Sequence, residues 1–267
     1  MKLYEIVNES EKTDTEACLI HYEKADVFVA EIKESSSGDL LPLILASFIE
    51  KGIYTIDPVW SRRFVESRII PHERQNLGAI LKRYGLNEYD CGKLLELSKG
   101  RCAQDDCAIL PLSKEPEWLI RRHASSLKDA LVLHDTLVMM QFQNNEIRFA
   151  DLQSLIDSDK RFSFLAGRPG SFEDLKLIPG GHGICWNDSI YLMNKELSAF
   201  LIDYQPGSDD LYKFFDTTLL STRDVCQKLN CSRQYVDSLL KRNKLQVARD
   251  LDSTRLFFRS DINKLKW

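Results

Sequence analysis

Three short strings in this 267-residue chain carry residue types able to do chemistry. The first is Arg101-Cys102-Ala103-Gln104-Asp105-Asp106-Cys107. Its paired carboxylates could hold a hard cation, and its Cys-x4-Cys could supply half of a zinc site. Neither pair has a second half in the sequence: His72 and His123 stand alone, and the spacing is not that of a Cys-x2-Cys knuckle. The reading adopted is a polar turn with buried thiols and no metal. The second string, Gly180-Gly181-His182-Gly183, could cradle a phosphate, but no helix start follows to supply a dipole. A turn needs only the permissive glycines, with His182 an exposed loop histidine. The third is Ser232-Arg233-Gln234-Tyr235, whose donors suit the edges of nucleic-acid bases.

The third string sits in an ordered context. Ser221 is placed as an N-cap with Asp224 three residues on, and Val225 and Leu229 share one face of the helix that follows. A turn at Leu229-Asn230-Cys231-Ser232 leads to a second helix, capped by Ser232 and apolar at Val236, Leu239 and Leu240. Arg233, Gln234 and Tyr235 then fall at its start, where a recognition helix meets base edges, and Lys241 and Arg242 close it. Strands at Gln246–Asp250 and Arg255–Ser260, around Leu251-Asp252-Ser253-Thr254, form an expected hairpin carrying Arg249, Arg255 and Arg259. From Thr218 to Trp267 there are eleven Lys and Arg against five Asp and Glu, a net of +6. Residues 1–217 hold 25 against 35, a net of −10. A basic module on an acidic body is the electrostatic footprint of nucleic-acid binding.

This stretch resembles the winged helix-turn-helix of MerR-type regulators and phage excisionases. The likeness lies in the helix spacing, the Ser-Arg opening of the second helix, the basic hairpin and the closing Asp261-Ile262-Asn263-Lys264-Leu265. It departs where Asn230 replaces the usual turn glycine, a mild change because Asn tolerates the left-handed conformation. The resemblance implies DNA binding.

The rest of the chain reads as two mixed modules. Leu3–Val7, Ala17–Tyr22 and Val27–Ile32 are β-rich; helices are expected over Leu40–Lys51, Asp57–Ile70, Pro71–Tyr84 and Asn87–Lys99. Pro71, Arg74, Tyr89-Asp90, Leu94-Leu95 and Gly100-Arg101-Cys102 resemble the small N-terminal subdomain of HipA-type toxin kinases, with Gln104-Asp105-Asp106 in place of the family's small residues. That likeness implies a fold and an association, without an active site. No Gly-rich phosphate loop, "HRD" or "DFG" follows. Farther on, strands are expected at Leu127–Leu133, Thr136–Phe142, Glu146–Ala150 and Phe172–Ile178. The series from Arg148-Phe149 through Gly183-Ile184-Cys185-Trp186 to Leu197 resembles a small bacterial α+β family of unknown function. Tyr204–Asp210 reads as a linker.

The expected fold class is α+β and multidomain: two α+β domains, 1–118 and 125–200, then a winged helix-turn-helix at 218–267. No apolar run approaches the ~20 residues of a membrane span. The start lacks a signal-peptide core, and seven cysteines at irregular spacing fit reduced thiols; both suit the cytoplasm. The expected function is a sequence-specific DNA-binding regulator, in particular an antitoxin-type repressor paired with a HipA-like kinase. It would be a homodimer on duplex DNA, with no cofactor, metal or catalytic residue. The competing readings are an enzyme that the basic module targets to DNA, and an adaptor that docks an acidic protein.

Overall fold

The computed structural model describes residues 1–11, 14–166, 170–252 and 254–267. It is mixed α and β, 36% helix and 26% strand in several small sheets. The chain divides into two compact units, Met1–Arg122 and His123–Trp267. Among the described residues, no helix is long and apolar enough to cross a membrane.

In the first unit, β1 (Lys2–Asn8), β2 (Ala17–Tyr22), β3 (Val27–Ile32), β4 (Thr55–Ile56) and β5 (Cys107–Pro111) form an antiparallel sheet of order β4-β3-β2-β1-β5. The helices are α1 (Leu43–Ile49), α2 (Pro58–Glu66), α3 (Leu77–Arg83) and α4 (Cys91–Ser98). Their apolar residues Leu45, Phe64, Leu81 and Leu95 share one core with Tyr4, Leu19 and Phe28 of the sheet. Two starts follow local chemistry. Asp57 accepts from the N–H groups of Val59 and Trp60 with Pro58 in the first turn, and Asp90 accepts from Lys93 N. The helix expected from Pro71 begins only at Leu77, after Asn76 has taken a left-handed φ of 63°. The division of the chain falls at the end of α5 (Glu117–His123).

The second unit opens with β6 (Leu127–His134), β7 (Leu137–Phe142), β8 (Ile147–Asp151) and α6 (Gln153–Ser158). Next come β9 (Lys176–Leu177), β10 (Gly183–Trp186), β11 (Ile190–Met193), α7 (Asn194–Leu197) and β12 (Leu201–Ile202). They make one sheet of order β12-β8-β7-β6 and another of order β11-β10-β9 around buried Trp186, Phe162 and Phe172. The strand expected over Phe172–Ile178 shrinks to β9, because Phe172–Asp174 coils into a 3-10 turn that seats Phe172 against Trp186 and lets its carbonyl accept from Trp186 Nε1 at 3.2 Å.

Tyr204–Asp210 does not behave as a linker. Helix α8 (Ser208–Thr218) begins within it, Tyr204 donates to Asp210 at 2.8 Å, and Lys213 Nζ reaches Leu133 O at 2.8 Å. The periodicity of Leu211-Tyr212-Lys213-Phe214, with Phe214 packed on the β6–β8 cluster, outweighs the Pro-Gly signal before it. Then follow β13 (Leu219–Ser221), α9 (Thr222–Leu229), α10 (Arg233–Lys241), β14 (Arg249–Leu251), β15 (Thr254–Phe258) and α11 (Arg259–Lys264). Residues 125–200 and 218–267, expected as separate domains, both lie in this unit, each with its own hydrophobic cluster.

Candidate nucleic-acid interface

The ends of α9 and α10 are fixed by side chains that the sequence places there. Ser221 and Asp224 cap each other: Ser221 Oγ accepts from Asp224 N, and Asp224 Oδ2 accepts from Ser221 N at 2.9 Å. Ser221 Oγ also donates to Asp224 Oδ2 at 2.7 Å, and that bond, followed by the one from Ser221 N, holds the Asp224 carboxyl below its ordinary range. Asn230 ends α9 at φ 48°, the left-handed position that a glycine usually fills, and Cys231 N closes back on Cys226 O at 2.9 Å. Ser232 then accepts from Tyr235 N and starts α10. A cap of this kind contributes about 1 kcal/mol, so the turn is set locally before tertiary packing acts.

Packing decides which face of α10 is offered outward. Val236 and Leu239 are buried with Val225, Leu220, Phe257 and Ile262. That leaves Ser232, Arg233, Gln234 and Tyr235 exposed at the start of the helix, and Lys241 and Arg242 exposed at its end. Behind it, β15 is the middle strand of the sheet β13-β15-β14. The expected hairpin is therefore present, though its tip residue Ser253 lies outside the described residues.

The arginines of the hairpin divide into three cases. Arg249 is exposed and has no ion pair or side-chain hydrogen bond among the described residues. Arg255 donates to Asp237 Oδ1 of α10 at 2.8 Å, so it ties the hairpin to the helix. Arg259 departs from the expected hairpin strand. It is the first residue of α11, past the strand end at Phe258. Its guanidinium grips Asp129 of β6 at 2.7 and 3.1 Å and Ala130 O at 2.9 Å. Asp129 is 3% exposed; an ion so buried needs its partner, and Arg259 supplies it instead of facing solvent.

Other cations surround α10. Arg223 and Lys228 on α9, and Lys244 after α10, are exposed and unpaired among the described residues. The sequence count includes their charge, but no motif singles them out. Asp129, the partner of Arg259, lies 130 positions away and carries no sequence signal at all.

The two enzyme-like strings go elsewhere. Asp105 is bound by buried Arg68 and accepts from Cys107 N at 2.9 Å, while Asp106 accepts from Ser10 Oγ at 3.1 Å. The carboxylates thus serve different partners. Burial pushes the Cys107 thiol up to about 11, so it is protonated at neutral pH. The glycine string is a turn, with Gly180 and Gly181 at φ 82° and 75°. His182 is 2% exposed, against the expected loop histidine. A Cβ on Gly181 would stand 1.9 Å from Leu127 O, so the absent side chain lets this turn close onto β6 and draws His182 inside. A carbonyl at that spot also repels an anion.

No family model matches the sequence, and neither a curated protein nor a solved structure matches the chain.

Proposed function

We propose that the chain binds duplex DNA through α10 and the cations around it, as a sequence-specific transcriptional regulator. Ser232, Arg233, Gln234 and Tyr235 are the base-reading group, and Lys241, Arg242 and Arg249 hold phosphates. The observation that carries this reading is a run of exposed cations without internal partners on a helix whose opposite face is buried. A cation already paired must break that pair to meet a phosphate; these have none to break. The net +6 of residues 218–267 adds long-range attraction to a polyanion.

Helix α10 has nine residues, about 13.5 Å, which reaches only a few base pairs. Two copies on a repeated site are therefore part of the proposal. A HipA-type kinase partner, and with it an antitoxin role, rests only on the resemblance over Pro71–Cys102; recovery of a kinase with tagged protein from the native cell tests it. The DNA reading is tested by fluorescence anisotropy of the full chain on labelled duplex across a salt series. Affinity is expected to fall linearly with the logarithm of salt concentration, and Arg233→Glu with Arg242→Glu to abolish binding. Duplex affinity that is insensitive to salt or to that pair of changes would overturn the reading.

A further inference from the structure

The first unit contains a cavity of about 830 Å³ bounded by the β2–β3 turn, α2 and the segment leading into α4. On its floor lies His21, 5% exposed and stacked on Phe28 at 4.1 Å and 9°. Neither ring nitrogen has a hydrogen-bond partner. The nearest carboxylate, Asp26, stands 3.6 Å from Nε2, beyond hydrogen-bond reach, and is held by Arg62 at 2.7 Å. The ring lies so close to α4 that a Cβ on Gly92 would stand 2.6 Å from it. Burial lowers the pKa of His21, so at neutral pH the imidazole is neutral and one of its ring nitrogens can accept a hydrogen bond.

Charge around the cavity is unbalanced. Lys2 pairs with Glu23 at 3.2 Å and Lys93 with Asp90 at 3.1 Å. Glu66, Glu73 and Glu88 also line the cavity, and no cation pairs with them among the described residues. His72 and Tyr89 meet edge-on at 4.9 Å and add an aromatic wall, a surface that favours organic cations. Among the described residues, no three ligand groups of this cavity converge closely enough to chelate one metal ion. Separated carboxylates beside an aromatic wall match charge spread along a chain.

We infer that this cavity is a binding site for an aliphatic polyamine, its ammonium groups on Glu66, Glu73 and Glu88 and its innermost amine directed to the unpartnered His21. The inference does not depend on DNA binding, and it would make the first unit the ligand-responsive part of the chain.

The test is isothermal titration of the DNA-free full chain with spermidine at physiological salt. Saturable one-site binding is expected. Glu66→Gln, Glu73→Gln and Glu88→Gln together should weaken it about tenfold, the summed loss of three exposed charge contacts. His21→Phe, which keeps the ring stack and removes the nitrogens, should also weaken it. Should His21→Phe fail to fold, the three-site glutamine variant alone decides. Asp157→Asn, Asp174→Asn and Asp216→Asn, three carboxylates elsewhere, should leave binding unchanged. Absence of saturable binding, equal loss in both three-site variants, or displacement by millimolar Mg²⁺ would overturn the site.

Discussion

Arginines held by carboxylates and arginines without a carboxylate partner occur in both units among the described residues, Arg74, Arg83 and Arg121 being exposed and unpaired in the first. In the first unit, Arg62, Arg68, Arg101 and Arg122 are committed to Asp26, Asp105, Glu9 and Glu31. Around α10, Arg233, Lys241, Arg242 and Arg249 have no carboxylate within reach among the described residues. Between them stand Arg255 and Arg259, in the basic segment but turned to Asp237 and Asp129. Position in a basic stretch therefore does not by itself leave an arginine without an internal partner.

The largest expected effect is on the Arg259 bracket. Asp129→Ala would leave a mostly buried guanidinium without its counter-charge. It should cost on the order of 2–4 kcal/mol of stability in the second unit, read by chemical denaturation. Arg259→Ala should likewise lower stability. If Arg259→Ala instead left stability intact and flattened the salt slope of DNA binding, the distinction between paired and unpaired cations would fail.

A smaller effect is expected at the hairpin tether. Arg255 and Asp237 are both part-exposed, so Arg255→Ala should cost no more than about 1 kcal/mol. Hydrogen exchange should quicken in β14 and β15, with the core around Val236 and Phe257 unaffected. Uniform protection in both strands after the change would show that the pair holds nothing in place.

The smallest effect separates the two units by pH. Burial depresses the folded pKa of His21 against the nearby charges of Asp26, Glu23 and Asp90, which raise it. The unfolded chain, near 6.5, takes up its proton first as pH falls. The His21 contribution to stability is then complete above about 6.5 and declines as pH drops below it. His21→Phe should remove that decline from the first unit's unfolding. A decline that persists in the variant would assign it to other groups.

How much of this was legible beforehand follows from the range of each cause. Ser221, Asp224, Asn230 and Ser232 act within a few residues, so the ends of α9 and α10 could be read directly from the string. Val236 and Leu239 likewise fix the inward face by period alone. Long-range causes were not readable. Asp129 drew Arg259 inward across 130 positions, and the closure of Gly181 onto Leu127 buried a histidine that looked like loop. Segment 71–76 has the composition of a helix start, yet Asn76 takes a left-handed turn and only Leu77 onward is helical. His21 carries no signal of its own within its β-strand, because its cavity is assembled from segments up to about seventy residues away.

The central claim is tested most directly by comparing Arg233→Ala with Arg249→Ala on two duplexes, one selected for tight binding and one of random sequence. The base-reading assignment predicts that Arg233→Ala loses about 1–3 kcal/mol on the selected duplex and little on the random one. Arg249→Ala, on the proposal that this residue holds a phosphate, should weaken both alike and reduce the salt slope by about one. Equal losses from the two variants on both duplexes would contradict the assignment of α10 as the element that reads sequence.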